Sequence, residues 1–467
     1  MKLVMKFGGT SVGESSRIQH VANIVRDHAR KGNRIVVVVS AMSGVTDKLI
    51  EAAEKASMRD RGSIEAFVKD LAERHNQACQ DVIKNGEILE QTLRSLNGQI
   101  AELEKILVGI TYLGELTPRS RDYVLSFGEK LSAIVISGAL KDLGLRTESF
   151  VGGQCGIVTD DCFGEAKPLM SITRQQVKEK LEPILEAGVV AVVTGFIGTT
   201  QDGLITTLGR GGSDYTATIL GVALQVDEVW IWTDVDGLMT ADPKVEPSAK
   251  TIPVISFSEA MEMAYFGAKA MHPSALEPAS ERGIPIRMKN TFNPDNPGTL
   301  IVEEQQVKPE SVVRAVAMIR NVALITVSGA GMVGVPGIAA KVFSVLGENN
   351  INVLMISQSS SEANISFVIP RASLEKVVNT LELSLLGSGF VKEVTSESDI
   401  CVVAVVGAGM KGRLGVAARV FKAVAEQGVN IRMIAQGSSE LNISFVVEES
   451  GGVKALRALH REFKLDC

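Results

Sequence analysis

The chain has 467 residues, 45% of them hydrophobic and 22% charged, with a formal net charge of −6 at neutral pH. That length makes about three domains the starting expectation, and the acidic balance gives no electrostatic footprint for nucleic acid or an anionic membrane. The five cysteines (Cys79, Cys155, Cys162, Cys401, Cys467) show no C-x-x-C, so neither a disulfide framework nor a zinc site is expected, no run approaches a membrane span or a signal-peptide core, and the expected location is the cytoplasm.

In chain order, "KLVMKF", "RIVVVVSAM", "VVAVVTGFIG" and "EVWIWTDV" read as buried strands, because apolar and β-branched residues run on without alternation. Amphipathic stretches such as "SRIQHVANIVRDHARKG" separate them, which predicts an α/β domain with a largely parallel sheet. Between about Lys48 and Leu116 the pattern turns charged and helical with no strand, so a helical insertion or a lid is expected there. "KFGGTSVG" (Lys6 to Gly13) follows the first strand, where backbone N–H groups and the next helix start can face an anion. It is not a P-loop, and a Gly-Gly turn alone is more often plain turn chemistry. Lys6 is the telling residue, since an ammonium at the end of a buried strand needs an anion or acid nearby. "TTLGRGGSDYTA" (Thr206 to Ala217) repeats the theme with three glycines, Arg210 and Asp214, and arginine suits bidentate capture of a carboxylate or phosphate. A Pro- and Asn-rich stretch, "NTFNPDNPGTLIVEEQQVKPES", breaks the pattern, placing the end of the first domain at 303 and a linker at 304–310.

Beyond it, "GAGMVGVPG" (Gly329 to Gly337) matches the G-x-G-x-x-G dinucleotide fingerprint, and "GAGMKGRLG" (Gly407 to Gly415) repeats it 78 positions later (407 − 329). The same offset aligns "QSSSEANISFV" with "QGSSELNISFV", so the region is a tandem duplication. A dinucleotide unit wants an acid at the end of its second strand, where these copies have Gln358 and Gln436. The second and third strands also follow each other as a hairpin, giving a βαββαβ order that is ferredoxin-like. The first copy spans 320–397. The second, which ends without a fourth strand, is expected to borrow "SVVRAVAMI" and so to be discontinuous, 311–319 plus 398–467.

Taken in order, "KFGGTS", "VVVVSAMSGVTD", "SFGEKLS", "VTGFIGTT", "TTLGRGGSDYTA", "IWTDVDG" with "TADP", "EMAYFGAKAMHP" and the two repeats resemble the amino-acid kinase superfamily, and within it the aspartate kinases, with the repeats resembling ACT domains. The resemblance implies a three-layer α/β/α amino-acid kinase fold with a mostly parallel sheet, followed by two ACT domains. It implies transfer of the γ-phosphoryl of Mg-ATP to the β-carboxylate of L-aspartate, giving 4-phospho-L-aspartate, with no tightly bound cofactor and no protein-held metal. An ionised carboxylate needs no general base, so positioning and charge neutralisation remain as the protein's task. Carried over residue by residue, Lys6, Gly8 and Gly9 would meet the transferring phosphate, Asp214 would orient the lysines, and Lys269 would supply a second cation. Arg210 would pair with the α-carboxylate of aspartate and Glu129 with its ammonium, with Ser40, Thr46 and Ser213 completing the pocket and Thr233 and Asp234 near the adenosine. The family's tyrosine and arginine after that strand are Met239 and Lys244 here, so neither role is carried over. His272, Trp230 and Trp232 read as structural.

The resemblance further implies feedback by an amino acid held through Gln358, Asn364, Gln436 and Asn442. Threonine is expected ahead of lysine, because no Asp stands beside the glutamines, although Glu362 and Glu440 keep lysine open. A homodimer or homotetramer formed through the ACT domains is expected. A kinase acting on glutamate or acetylglutamate and a non-catalytic amino-acid-binding regulator are the alternatives.

Overall fold

The computed structural model describes residues 1–266, 271–304 and 311–466. Its elements begin with β1 (Lys2–Phe7), α1 (Ser15–Arg30) and β2 (Arg34–Val39), followed by five consecutive helices: α2 (Val45–Ser57), α3 (Arg61–Val82), α4 (Gly86–Leu113), α5 (Pro118–Leu125) and α6 (Phe127–Asp142). Then come β3 (Thr147–Phe150), α7 (Met170–Glu186), β4 (Val190–Thr194), β5 (Ile197–Thr199), β6 (Ile205–Thr207), α8 (Gly212–Leu224) and β7 (Glu228–Thr233). β8 (Val254–Ser256), α9 (Phe257–Tyr265), α10 (Pro273–Arg282), β9 (Ile286–Asn290) and β10 (Thr299–Val302) follow. The remaining elements are β11 (Ala315–Ser328), α11 (Ile338–Glu348), β12 (Met355–Gln358), β13 (Asn364–Pro370), α12 (Leu374–Leu385), β14 (Glu393–Val406), α13 (Val416–Ala425), β15 (Ile431–Ala435), β16 (Asn442–Glu448) and α14 (Glu449–Glu462).

The chain divides into two compact units, Met1–Leu238 with Pro253–Phe257 and Ala270–Val307, and Met239–Ile252 with Ser258–Lys269 and Lys308–Cys467. The first is built on one eight-stranded sheet in the order β3-β4-β2-β1-β7-β9-β10-β8. Only the β9–β10 pair in it is antiparallel, as the unalternating apolar runs require of a sheet covered on both faces. Trp232 is fully buried and stacks on Phe7 at 5.7 Å, so the strand tryptophans pack the sheet. Helices α3 and α4 start at side-chain caps, with Asp60 accepting from the Ser63 N–H and Asn85 from those of Glu87 and Ile88. Ile64, Leu71, Leu96, Leu103 and Leu107 on these helices share one core with Val37 and Val39 of β2. The helical stretch is thus an integral layer, and the lid alternative does not hold.

One expectation needs correcting. Pro118–Asp142, spanning α5 and α6, is long and apolar enough to cross a membrane, but 89% of its most apolar window is buried inside this unit, as in a core helix. Among the described residues the cysteines are free thiols; Cys467 and the linker residues 305–310 lie outside the described set.

The second unit holds a six-stranded antiparallel sheet, β12-β13-β11-β14-β16-β15, whose two central strands each serve both repeats. Val322–Ser328 of β11 pair with β13, while Ala315–Ile319 of the same strand pair with Val402–Val406 of β14. The stretches Met239–Ile252 and Ser258–Lys269, which the sequence places before the boundary at 303, belong to this unit. Part of the reason is apolar packing: Ala241, Val245 and Ala249 join the core of the second repeat around Val420, Phe445 and Leu459. Thr240 shares a 2.9 Å hydrogen bond with the buried His460.

Within the first unit, Asp122 of α5 sets where the active residues start. Its buried carboxylate accepts from the Gly164 N–H at 2.9 Å, the Thr207 N–H at 2.8 Å and the Thr207 hydroxyl at 2.9 Å. Burial pushes its carboxyl above the ordinary range, against the pull of those three donors. Thr207 ends β6 and leads into Leu208–Ser213, so this one side chain pins the root of the glycine–arginine turn. Asp122→Ala should lower unfolding stability by roughly 2–4 kcal/mol, since it leaves buried donors unpaired. A denaturant midpoint equal to that of the parent protein would show that these bonds do not anchor the turn.

Candidate active site

Lys6 is the next-to-last residue of β1, flanked in parallel by β2 and β7, and it is 9% exposed. Its Nζ lies 2.6 Å from Asp214 Oδ1 in the first turn of α8. Among the described residues the Oδ1 atom makes no aligned hydrogen bond, so the contact with Lys6 is an ion pair without directed geometry. The turn after β1 passes tightly under the end of β2: a Cβ on Gly9 would come 2.9 Å from the Ala41 carbonyl oxygen, which backbone cannot yield. On the opposite wall Gly211 caps α8 at φ 73°, and a Cβ there would also press to 2.5 Å from the Cβ of His272. His272 itself shares a 2.6 Å hydrogen bond with Ser274 at the start of α10, in keeping with a structural role.

These walls enclose a cavity of about 500 Å³ at the carboxyl ends of β1 and β2, the usual place for a ligand in a parallel α/β sheet. Lys6, Gly9, Ser40, Thr46, Glu129, Arg210, Ser213 and Asp214 all line it. Gly8 sits beside them, donating its N–H to the Trp232 carbonyl at 3.2 Å. Helices α2 and α8 both begin at the cavity behind left-handed glycines, Gly44 and Gly211; the Val45 and Gly212 N–H groups donate to the Met42 and Gly209 carbonyls, which leaves the later N–H groups of each first turn for an anion. Thr233 ends β7, the neighbour of β1, Asp234 follows it, and neither lines this cavity; Thr233 Oγ1 donates to Asp234 at 3.2 Å. Lys269 lies outside the described residues.

Glu129, in the first turn of α6, is 4% exposed. Its Oε1 accepts from the Ala41 N–H at 3.1 Å, while Oε2 is buried with no hydrogen-bond partner among the described residues. Burial pushes its carboxyl up to about 8, with the Ala41 N–H and the Lys6 ammonium pulling the other way. A buried, half-satisfied carboxylate lining a cavity is an acceptor built for a cation. Arg210 offers an exposed guanidinium to the same space. The cavity therefore presents one acid for an ammonium, one planar cation for a carboxylate, and one ammonium with two helix starts for further anionic charge.

Several lining groups were not singled out from the sequence, among them Ser43, Asp47 and Phe196. Asp47 stands within "SGVTD", in the first turn of α2, where an acid after a helix start was a visible signal. Phe196 has φ 66°, a strained value for a bulky residue. Nothing in the string "TGFIG" announces it.

In the second unit, Gln358 ends β12 as an exposed side chain and lines a cavity of about 300 Å³ with Gly334, Gly337 and Glu362. Gln436 is likewise exposed, just past β15. Glu362 accepts from the Gly334 N–H at 2.9 Å, and Glu440 from the Gly412 N–H at 2.5 Å. The two acids thus brace the two glycine turns in the same way. Asn364 and Asn442 occupy equivalent starts of β13 and β16, but Asn442 donates to Glu262 of α9.

Residues 1–290 match the amino acid kinase family, and residues 325–385 and 403–463 each match the ACT domain. A bifunctional aspartokinase/homoserine dehydrogenase 2 of Arabidopsis thaliana is 35% identical over 99% of this chain, which spans about half (50%) of that relative's length. Aspartokinase 2 of the same plant is 35% identical over 98% of this chain and 84% of its own. A crystal structure of E. coli aspartokinase III in complex with aspartate and ADP, in the R-state, matches with a TM-score of 0.83 at 30% identity, over 99% of this chain and 100% of that one. The same enzyme with lysine and aspartate, in the T-state, matches with a TM-score of 0.82, again at 30% identity over 99% of both chains. With a Lys6–Asp214 pair, Arg210 and Glu129 around one cavity, and with two ACT repeats later in the sequence, this chain belongs to the aspartokinase family.

Proposed function

We propose that the chain is an ATP-dependent aspartate kinase under amino-acid feedback. The observation that carries the reading is the buried Oε2 of Glu129, without a partner among the described residues, in the same cavity as Arg210 and Lys6. A zwitterionic dicarboxylate fits that set: its ammonium on Glu129, its α-carboxylate on Arg210, and its β-carboxylate free to face the phosphate. The aspartate and ADP held by the E. coli relative support this choice over glutamate or acetylglutamate. One β-carboxylate oxygen attacks the γ-phosphorus of ATP, a carboxyl O–P bond forms, and the bond from phosphorus to the bridging oxygen breaks to release ADP. No proton has to be removed from the nucleophile, which is ionised at neutral pH. Mg²⁺ enters with the nucleotide. Lys6 and the N–H groups at the start of α8 neutralise charge on the group in transfer, and Asp214 holds the Lys6 ammonium in place. Ser40, Thr46 and Ser213 complete the polar wall.

Lys6→Ala should lower kcat by about 100-fold or more, because its cation acts on charge that develops during transfer. Circular dichroism establishes that the variant is folded, and an unchanged kcat would place the phosphate elsewhere.

The Glu129 carboxyl, at about 8 in the empty site, is mostly protonated at pH 7. An ammonium requires the ionised form, so aspartate binding expels a proton. Affinity should therefore rise up to about tenfold per pH unit below 8 and level off above it. The empty protein should show the opposite trend, with stability present below the ordinary carboxyl range lost as pH rises through 8. Calorimetric aspartate titrations from pH 6 to 9 test this, with Glu129→Gln expected to flatten the profile and a flat profile in the parent protein counting against the assignment.

For feedback we favour threonine at the Gln358 cavity. The Glu362 carboxylate, the nearby acid that would meet an ε-ammonium, already accepts from the Gly334 N–H, and most of the remaining lining is apolar or backbone. Self-association through this unit fits the exposed Leu383 and Leu414 and the exposed edge-strand residues Ile356 and Ile434. Gln358→Ala should raise the half-inhibitory concentration of threonine by about tenfold or more. Inhibition by lysine alone, lost in the same variant, would reassign the effector, and equal inhibition of parent and variant would move the site.

A further inference from the structure

The two ACT repeats carry the same turn, yet different groups meet it. In the second repeat the Ala408 N–H donates to Glu259 Oε1 at 2.7 Å, and the Asn442 side-chain amide donates to Glu262 Oε2. Both acids belong to α9 and stand three residues apart, on one face of the helix. Glu259 is 2% exposed and has Arg314 at 3.8 Å, so its buried charge is met by a cation as well as by the turn. Three residues further along that face, Tyr265 donates its hydroxyl to the Leu354 carbonyl at 2.6 Å. Leu354 immediately precedes β12, the strand that carries Gln358. One helix therefore holds both repeats, the second by its acids and the first by its tyrosine.

In the first repeat the equivalent donors are the Ala330 N–H and the Asn364 amide. Ala330 is exposed where Ala408 is partly covered, and among the described hydrogen bonds no carboxylate meets either donor. The second repeat's turn is thus demonstrably a carboxylate binder, and its carboxylates come from the chain itself.

We propose that α9 is a tethered ligand of the second repeat: Glu259 and Glu262 take the place at which a dissolved amino acid would present its carboxylate, and Tyr265 ties that occupancy to β12 of the first repeat. The first repeat is left to read free amino acid, and the second reads the position of α9. In the chain α9 follows β8 without a break. The inference rests on reading the repeats as amino-acid sites, but its test does not require catalysis, so either can fail without the other.

Hydrogen exchange measured by mass spectrometry on the full chain tests it. In Glu262→Ala, amides over residues 407–413 should exchange at least about fivefold faster than in the parent protein, while those over 329–335 stay unchanged. In Gln358→Ala, which weakens the first repeat's own ligand contact, saturating threonine or lysine, added separately, should leave 407–413 unaltered. Should Glu262→Ala lose protection along the whole chain, Tyr265→Phe, which removes only the hydroxyl tie, should still speed exchange over 407–413 by at least about twofold. Unchanged exchange over 407–413 in a folded Glu262→Ala or Tyr265→Phe, or its slowing by either amino acid in Gln358→Ala, overturns the proposal.

Discussion

The first unit is organised around one buried cation. An ammonium at the end of a central strand, almost closed off from water, is tolerable only with an anion beside it, and removing the partner of such a pair typically costs about 3–5 kcal/mol. Asp214 supplies that anion from the first turn of α8, which fixes where α8 must begin. The glycines before it follow from the same demand. Gly211 caps the helix in a left-handed conformation and lies against His272, so the chain can turn from β6 into α8 within a few residues. Asp122 then holds the other end of that turn. Charge placement, turn chemistry and helix start are therefore one constraint seen at three scales, and a ligand carrying both signs of charge meets a site in which each sign is already held.

Much of this arrangement was legible in the sequence because it depends on local chemistry. Unalternating apolar runs foretold the parallel sheet, and Lys6, Arg210 and Asp214 stood in glycine-rich strings whose charges need partners, whereas Glu129 came only from the family resemblance. What escaped depends on partners distant in the chain. Asp122 looks like one more acid on a charged helix until Thr207 and Gly164 arrive beside it. The strain at Phe196 is a property of its backbone, which no residue pattern marks. The same holds for Met239–Ile252, whose modest apolar content declares no allegiance; only the space left by Val420, Phe445 and Leu459 draws Ala241 and Val245 into the second unit.

The duplication shows how alike sequences come to differ in role. Gly329 and Gly407 have nearly the same backbone angles, and Glu362 and Glu440 brace their turns identically. The asymmetry comes from outside the repeats, from an α9 whose acids reach only the second turn. A dinucleotide fingerprint at these glycines had a physical basis, since such a turn does offer N–H groups to an anion. The anion found there is a glutamate of the same chain.

The central claim is that this cavity selects a free amino acid with a second carboxylate and makes that carboxylate the nucleophile. Trapping the acyl phosphate with hydroxylamine tests it most directly. The purified chain is incubated with Mg-ATP and, separately, aspartate, glutamate and acetylglutamate, and the hydroxamate formed in each case is identified. The account predicts aspartyl hydroxamate, formed in step with ADP release, and little or none from the other two acids. Hydroxamate from glutamate or acetylglutamate in place of aspartate, or ADP release that aspartate does not stimulate, would contradict it.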